Sequence, residues 1–287
     1  MNHTTLISVQ QLQALISSGQ PLKIFDCSFD LGQPSLGRQQ FVDAHIPGAV
    51  YASLDTALRA HGGPSASGGR HPLPTREVFA QWLTQVGMTN DAQAVVMDRN
   101  GANYCGRLWW MVKWAGHDNV AVLDGGLQAW VASGGAVELG EGAPATAAAS
   151  DFQLAPSRYR LVAADTIAEQ LGRASQTVLD ARGTPRFRGE VEPLDPVAGH
   201  IPGALNRPFT QNLGADGCFK APEQLRKEFA LLLGGRDPGT VVHQCGSGVS
   251  ALPNLLAMEV AGLGVTSLYA GSWSDWCSHT DYPVAKS

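Results

Sequence analysis

The pentapeptide His-Ile-Pro-Gly-Ala occurs twice in this chain, at residues 45–49 and again 155 residues later at 200–204. A self-repeat at that distance means that the fold must accommodate two copies of one supersecondary plan. Leu179-Asp180 echoes Phe25-Asp26 at an offset of 154. Further on the offset falls to 146, where Val241-Val242 matches Val95-Val96, Ala261-Gly262 matches Ala115-Gly116, Gly271 matches Gly125 and Trp276 matches Trp130. The first half therefore carries a nine-residue surplus between Ala49 and Val95, and residues 53–74 in that interval are rich in Gly, Pro and Ser. At 287 residues the chain is long enough for two domains of about 140, each able to bury its own core.

Within the first copy, strand and helix patterns alternate. Ser8 caps a short helix through Ile16 that Gly19 ends, residues 22–26 read as a buried strand, and Thr75 caps a helix through Leu83. Residues 94–97 and 120–123 are further strands, 104–115 is an apolar helix carrying Trp109, Trp110 and Trp114 on a core or interface face, and 127–131 opens another helix. Short apolar strands separated by helices imply an α/β fold, a parallel sheet with helices on both faces, in each half. Between Gly134 and Arg158 the composition shifts to Ala, Gly, Ser and Pro. The expected organisation is a first domain at 1–140, a linker at 141–158 and a second domain at 159–287.

The second copy holds the chemistry. A hydrophobic run, Val241-Val242-His243-Gln244, stops at Cys245 and passes through Gly246-Ser247-Gly248-Val249-Ser250 before helical sequence resumes. Glycines let successive amides turn inward at the positive end of the next helix, which makes a cradle for an anion. A thiol in that cradle ionises readily, and the thiolate is the nucleophile. The alternative reading of Cys245 is a small buried hydrophobe, and the glycine cradle favours the nucleophile. At the 146 offset Cys245 aligns with Arg99, so the first copy lacks it. Cys27, Cys105, Cys218 and Cys277 read as packing residues. Asp26, Asp180, His45 and His200 occur in both halves and read as structural, the histidines bonding backbone near the turns at Pro47 and Pro202.

Charge and composition exclude several classes. With 20 basic and 25 acidic residues, net −5, the chain has no electrostatic reason to bind nucleic acid or an anionic membrane. Five cysteines without Cys-x-x-Cys spacing suggest neither a disulfide framework nor a zinc site, and no cluster of ligands suggests a metal or organic cofactor. The N-terminal stretch has no basic and apolar leader pattern and nothing approaches a membrane span, so the expected location is cytoplasmic.

The paired His-Ile-Pro-Gly-Ala motifs, the C-terminal Tyr269-Ala270-Gly271-Ser272-Trp273-Ser274-Asp275-Trp276 and the single loop at Cys245 together resemble the tandem-domain rhodanese-like sulfurtransferases over nearly the whole chain. The loop Cys-Gly-Ser-Gly-Val-Ser is similar to that of the branch using 3-mercaptopyruvate, whereas thiosulfate-using members carry Cys-Arg-Lys-Gly-Val-Thr. The resemblance implies attack of Cys245 on the sulfur of 3-mercaptopyruvate, release of pyruvate, and transfer of the resulting persulfide sulfur to cyanide or to a thiol acceptor such as thioredoxin or a low-molecular-weight thiol. It implies that Ser247, His71 and Asp55 form a proton-handling group, that Arg186 binds the substrate carboxylate, and that Gly246, Gly248, Val249 and Ser250 line the anion cradle. It also implies a second arginine after Glu192-Pro193, where this chain has Leu194; Arg188 or Arg207 could take its place, or one arginine could hold the acid alone. A loop without lysine or arginine leads one to expect weak use of thiosulfate.

Three rival readings remain. One is a thiosulfate:cyanide sulfurtransferase. Another is a non-enzymatic persulfide carrier. The third is a cysteine phosphatase, which needs arginine six residues after the cysteine, where this chain has Ala251.

Overall fold

The structure, a computed structural model, describes residues 2–142 and 151–287. By their contacts the residues form two compact units, one of Met1–Pro64, Pro74–Arg158 and Ala215–Cys218, the other of Ser65–Leu73, Tyr159–Gly214 and Phe219–Ser287.

In the first unit the elements run β1 (Leu6–Ile7), α1 (Val9–Ser18), β2 (Leu22–Asp26), α2 (Pro34–Asp43), β3 (Val50–Tyr51), α3 (Arg76–Gln85), β4 (Gln93–Met97), α4 (Cys105–Trp114), β5 (Val120–Leu123) and α5 (Gly126–Ala132). Among the described residues they build a five-stranded sheet in the order β1-β5-β4-β2-β3, parallel throughout. The local signals act as the sequence suggests. Ser8 and Gln11 form a reciprocal capping box on α1, Gly19 ends that helix in the left-handed conformation, and the Thr75 hydroxyl accepts the Val78 amide at the start of α3. Helix α2 has no such signal, since its N-terminal Gln33 makes no side-chain cap and its sequence is rich in polar residues. Trp109 and Trp110 are fully buried, in keeping with a core role.

The second unit repeats the plan with β6 (Arg160–Leu161), α6 (Ala164–Glu169), β7 (Thr177–Asp180), α7 (Thr184–Arg188), β8 (Leu205–Asn206), α8 (Pro222–Leu233), β9 (Val241–Gln244), α9 (Leu252–Val260), β10 (Ser267–Leu268) and α10 (Ser272–Trp276). The sheet order is β6-β10-β9-β7-β8, again parallel. Adjacent residues of one strand serve opposite cores. Val178 and Val242 pack with Ile167, Tyr269, Trp273 and Trp276, while Leu179 and Val241 pack with Leu225, Phe229, Ala257 and Met258. That is the signature of a strand buried on both faces, and it leaves the carboxyl end of β9 as the place where the chain emerges.

The repeated polar residues hold equivalent positions. His45 donates from Nδ1 to the Phe41 carbonyl at 2.8 Å and stacks on the Phe41 ring, and His200 does the same with Phe187. Arg99 pairs with Asp26 at 3.0 Å and donates to the Ala44 carbonyl. In the second unit Arg182 pairs with Asp180 at 2.8 Å and donates to the Gly199 carbonyl at 2.7 Å. The first unit thus draws this arginine from the position that aligns with Cys245, whereas the second draws it from the loop after β7. That relocation frees the position after β9 for a thiol.

Of the expected linker at 141–158, residues 143–150 lie outside the described residues. On either side of them the chain is bonded into the first unit, Gly140 donating to the Val42 carbonyl at 2.8 Å and Ala155 to the Ala115 carbonyl at 3.1 Å.

Candidate active site

Cys245 follows β9 directly and is 2% exposed. Its backbone is tied to the start of α10. The Cys245 amide donates to Ser272 Oγ at 3.1 Å, the Cys245 carbonyl accepts the Trp273 amide at 3.0 Å, and the Gly246 carbonyl accepts the Ser274 amide at 2.9 Å. Ser272 Oγ in turn donates a hydrogen bond to the Tyr269 carbonyl at 2.9 Å, and the residue sits at φ +56°, a conformation that costs a non-glycine residue energy and is held here by those two bonds. Gly248 lies at φ +73°, and a Cβ there would stand 2.1 Å from the Ala270 carbonyl oxygen.

Four of the loop amides are uncommitted. Among the described residues, no acceptor within the chain takes the amide of Gly246, Ser247, Val249 or Ser250. The corresponding loop of the first unit shows what such amides do when an anion is at hand. The Asp98 carboxylate there accepts the amides of Asn100, Ala102, Tyr104 and Cys105 at 2.8 to 3.0 Å. One copy of the loop is filled by its own carboxylate, and the other presents the same kind of donors around a cysteine.

Three side chains from distant sequence reach this loop within the second unit. His71 Nδ1 and Ser247 Oγ share a hydrogen bond of 2.8 Å, both residues being buried. Arg186 from α7 and Arg70 present their guanidinium groups at Gly246, Nη1 of Arg186 and Nη2 of Arg70 each lying 3.4 Å from where a Gly246 Cβ would stand. Behind them are two buried carboxylates. Asp195 bridges the pair, taking Nη1 of Arg70 at 2.5 Å and Nη2 of Arg186 at 3.1 Å, and Glu192 takes Nη2 of Arg186 at 2.6 Å. Burial alone would raise the Glu192 carboxyl, but hydrogen bonds from Arg186 and from the amides of Leu194 and Asp195 outweigh it and hold the group below its ordinary range. Glu192 therefore stays ionised and keeps Arg186 in place.

The segment carrying Arg70 and His71 is fitted closely. The Arg70 amide donates to Ser274 Oγ at 3.0 Å, and a Cβ on Gly69 would meet the Gly271 carbonyl oxygen at 2.4 Å. The Gly/Pro-rich surplus of the sequence thus brings residues 65–73 into the second unit. Asp55 belongs to the first unit, where its carboxylate pairs with Arg59 at 3.1 Å. The two arginines offered as partners for Arg186 are engaged elsewhere. Arg188 is exposed beside Glu190, and Arg207 is bound to Asn212 and Glu228. The second guanidinium at the loop is Arg70, and Leu194 is exposed. Nothing in the composition signals Arg70; its one sequence cue is that it precedes His71.

Other candidates for the chemistry are poorly placed. Burial pushes the thiols of Cys27 and Cys105 well above the ordinary cysteine value, with nearby Asp98 adding to the effect, and burial also raises Cys218 and Cys277. His243 on β9 has both ring nitrogens buried without a partner, and burial lowers its pKa to about 3, so it remains a neutral ring. His71 is then the histidine positioned to exchange protons at Ser247. Among the described residues no group of three or more His, Cys, Asp or Glu side chains could hold a metal ion, and no helix is long and apolar enough to cross a membrane.

Comparison with known proteins places these features in context. The model of the rhodanese-like domain matches residues 8–133 and again 163–279. A Pseudomonas aeruginosa protein described as a probable 3-mercaptopyruvate sulfurtransferase is 46% identical over 99% of both chains. A Mycobacterium tuberculosis protein assigned provisionally as a thiosulfate sulfurtransferase is 38% identical over 98% of this chain and 96% of its own. Among solved structures, 3-mercaptopyruvate sulfurtransferase from Leishmania major superposes with a TM-score of 0.80 at 30% identity, covering 96% of this chain and 74% of the other.

Proposed function

The chain belongs to the rhodanese-like family, and we propose that it carries sulfur from 3-mercaptopyruvate on Cys245 as a persulfide, releasing pyruvate, and passes it to a thiol. The observation that carries this reading is the 2.8 Å hydrogen bond between Ser247 and His71, two residues beyond the cysteine. A donor that leaves as a carbanion needs its proton managed, and a relay beside the nucleophile supplies that.

In the first step the Cys245 thiolate attacks the donor sulfur. An S–S bond forms, the C3–S bond breaks, and its electron pair leaves on carbon as the enolate of pyruvate. The donor thiol loses one proton and the enolate carbon gains one, so the step balances with Ser247 and His71 carrying that proton across. The other product is a persulfide anion, which the uncommitted amides of Gly246, Ser247, Val249 and Ser250 stabilise together with the start of α9. Arg186 grips the donor carboxylate. In the second step an acceptor thiolate attacks the outer sulfur and Cys245 leaves as thiolate. We assign the acceptor to thioredoxin or a low-molecular-weight thiol, and the protein to the cytoplasm, where a free nucleophilic thiol stays reduced. Asp55 keeps, on resemblance, a part in the proton-handling group.

Ser247→Ala and His71→Ala are each expected to lower kcat/KM with 3-mercaptopyruvate by about a hundredfold, the usual worth of a positioned acid–base group. With thiosulfate, which leaves as sulfite and needs no proton at carbon, the loss should be no more than about threefold. Steady-state kinetics with both donors checks this, and equal losses would remove the relay.

A second reading, thiosulfate as the donor, is favoured by the Mycobacterium tuberculosis relative and by one feature absent from the loop sequence. The expectation of weak thiosulfate use rested on a loop with no cation of its own, yet Arg70 and Arg186 bring two guanidinium groups to Gly246. A sulfonate would find donors there, so the proton relay, and not a lack of positive charge, is what favours 3-mercaptopyruvate. A higher kcat/KM with thiosulfate than with 3-mercaptopyruvate would assign the second reading.

A further inference from the structure

We propose that Ser272 is a positioning residue for the nucleophile, kept in a strained conformation because its hydroxyl holds the Cys245 backbone; the inference rests on Cys245 as the sulfur carrier and holds for either donor. Two observations carry it, the backbone of Ser272 and the residue that stands in its place in the first unit. Among the described residues only Ala102 and Ser272 have a left-handed backbone without being glycine, Ser272 at φ +56°. A Cβ is unfavourable in that conformation, and glycine removes the cost. The first unit does use glycine. Gly126 opens α5 as Ser272 opens α10, at the offset of 146 that also relates Gly125 to Gly271, and its φ is +58°. The copy without the nucleophile thus carries the unstrained residue, and the copy with it carries a serine in the same conformation.

The hydroxyl accounts for the difference. Cys245 is the first residue beyond β9, where the ladder has ended; the Ala181 amide reaches the Gln244 carbonyl and the Tyr269 amide reaches the His243 carbonyl, one and two residues short of it. The Cys245 amide is left without a strand partner in a buried place, and a buried amide must be paired. Ser272 Oγ, itself fully buried, takes it at 3.1 Å, and because the same hydroxyl donates to the Tyr269 carbonyl at 2.9 Å, its lone pair is turned to the amide. The Cys245 carbonyl accepts the Trp273 amide at 3.0 Å, so the start of α10 holds the nucleophile on both sides of its Cα. With both groups fixed, the Cα–Cβ bond has one direction, and the four uncommitted amides beyond Cys245 stay available to the sulfur. In the first unit there is no room for such a side chain, since a Cβ on Gly126 would stand 2.1 Å from the Asp98 carbonyl oxygen.

The test compares Ser272→Ala, which loses the hydroxyl and keeps the strain, with Ser272→Gly, which loses both and supplies the residue that the first unit has at this place. On the full-length protein and each variant, kcat and KM are measured with 3-mercaptopyruvate and with thiosulfate, cyanide being the acceptor, and a thermal melt is recorded. Both variants should lose about thirtyfold in kcat with either donor, the scale expected when a reacting atom is displaced by less than about 1 Å, while KM changes no more than about twofold. Ser272→Gly should melt about 2 °C above Ser272→Ala, because the strain is gone. A role confined to holding the fold would make activity follow the melt, with the glycine variant the more active. That order, a loss carried by KM, a loss confined to one donor, or a glycine variant within about threefold of wild type would each overturn the role of Ser272. Wild-type protein that takes no sulfur onto Cys245 from either donor would instead overturn the carrier on which that role depends.

Discussion

Cys245→Ser is expected to abolish the persulfide and to lower sulfur transfer by a factor on the order of a thousand or more, because a serine hydroxyl is not ionised at neutral pH and forms no stable sulfur adduct. The fold should tolerate the change. The cysteine is anchored through its amide to Ser272 and its carbonyl to Trp273, and both bonds survive in serine. None of the other thiols can take over. Cys27 and Cys105 are buried and held protonated, and Cys218 and Cys277 are also pushed above the ordinary cysteine value. Turnover assays and a thermal melt on the same preparation check both halves of the expectation. Residual activity within tenfold of wild type would place the nucleophile elsewhere.

Gly248→Ala is expected to be the most damaging small change to the loop. Two costs add. A residue with a Cβ at φ +73° is strained by about 1 kcal/mol, and this Cβ would be driven to 2.1 Å from the Ala270 carbonyl oxygen, which belongs to backbone and cannot step aside. The loop or the β10–α10 connection must shift, for a total destabilisation of about 2 to 4 kcal/mol. Ser247 moves with it, so the hydrogen bond to His71 is lost and activity falls as well. Gly203→Ala separates strain from collision, since Gly203 has φ +78° with nothing within 4 Å of its Cβ position. It should cost only about 1 kcal/mol. Chemical denaturation of both variants, with pyruvate release measured alongside, tests the difference. Equal destabilisation would mean that the close approach to Ala270 does not hold the loop.

How much of this could be read from the chain depended on the range of the interaction. The two parallel sheets follow from short apolar runs alternating with capped helices, and the repeat at 45–49 and 200–204 doubles the signal. Helix α2 escaped because Gln33 gives no cap and its buried residues reduce to Gly37 and Phe41. The nucleophile loop was legible because its cause is local, a strand followed by Cys-Gly-Ser-Gly at a helix start. The reason that the first copy needs no cysteine was not legible. Alignment showed Arg99 in its place, but only the structure shows that Arg99 does for Asp26 what Arg182 does for Asp180, and that Asp98 fills the loop amides.

The side chains that converge on Cys245 come from three stretches of sequence, and composition gives no measure of that convergence. His71 and Arg186 are legible through resemblance, while Arg70 has no cue beyond preceding His71. Arg188 and Arg207, the candidates for a second arginine, are held by their contacts to Glu190 and to Asn212 and Glu228. A glycine pair packed against Gly271 and Asp275 is what delivers Arg70, and such packing leaves no periodic trace in the sequence.

The most direct test of the central claim is a single turnover without acceptor. One equivalent of 3-mercaptopyruvate is mixed with the reduced protein, pyruvate is measured, and the intact chain and its peptides are weighed by mass spectrometry. The expected result is one pyruvate per chain and a mass gain of one sulfur atom confined to the Cys245 peptide. An unmodified Cys245 without pyruvate, or the sulfur on another cysteine, would contradict the account.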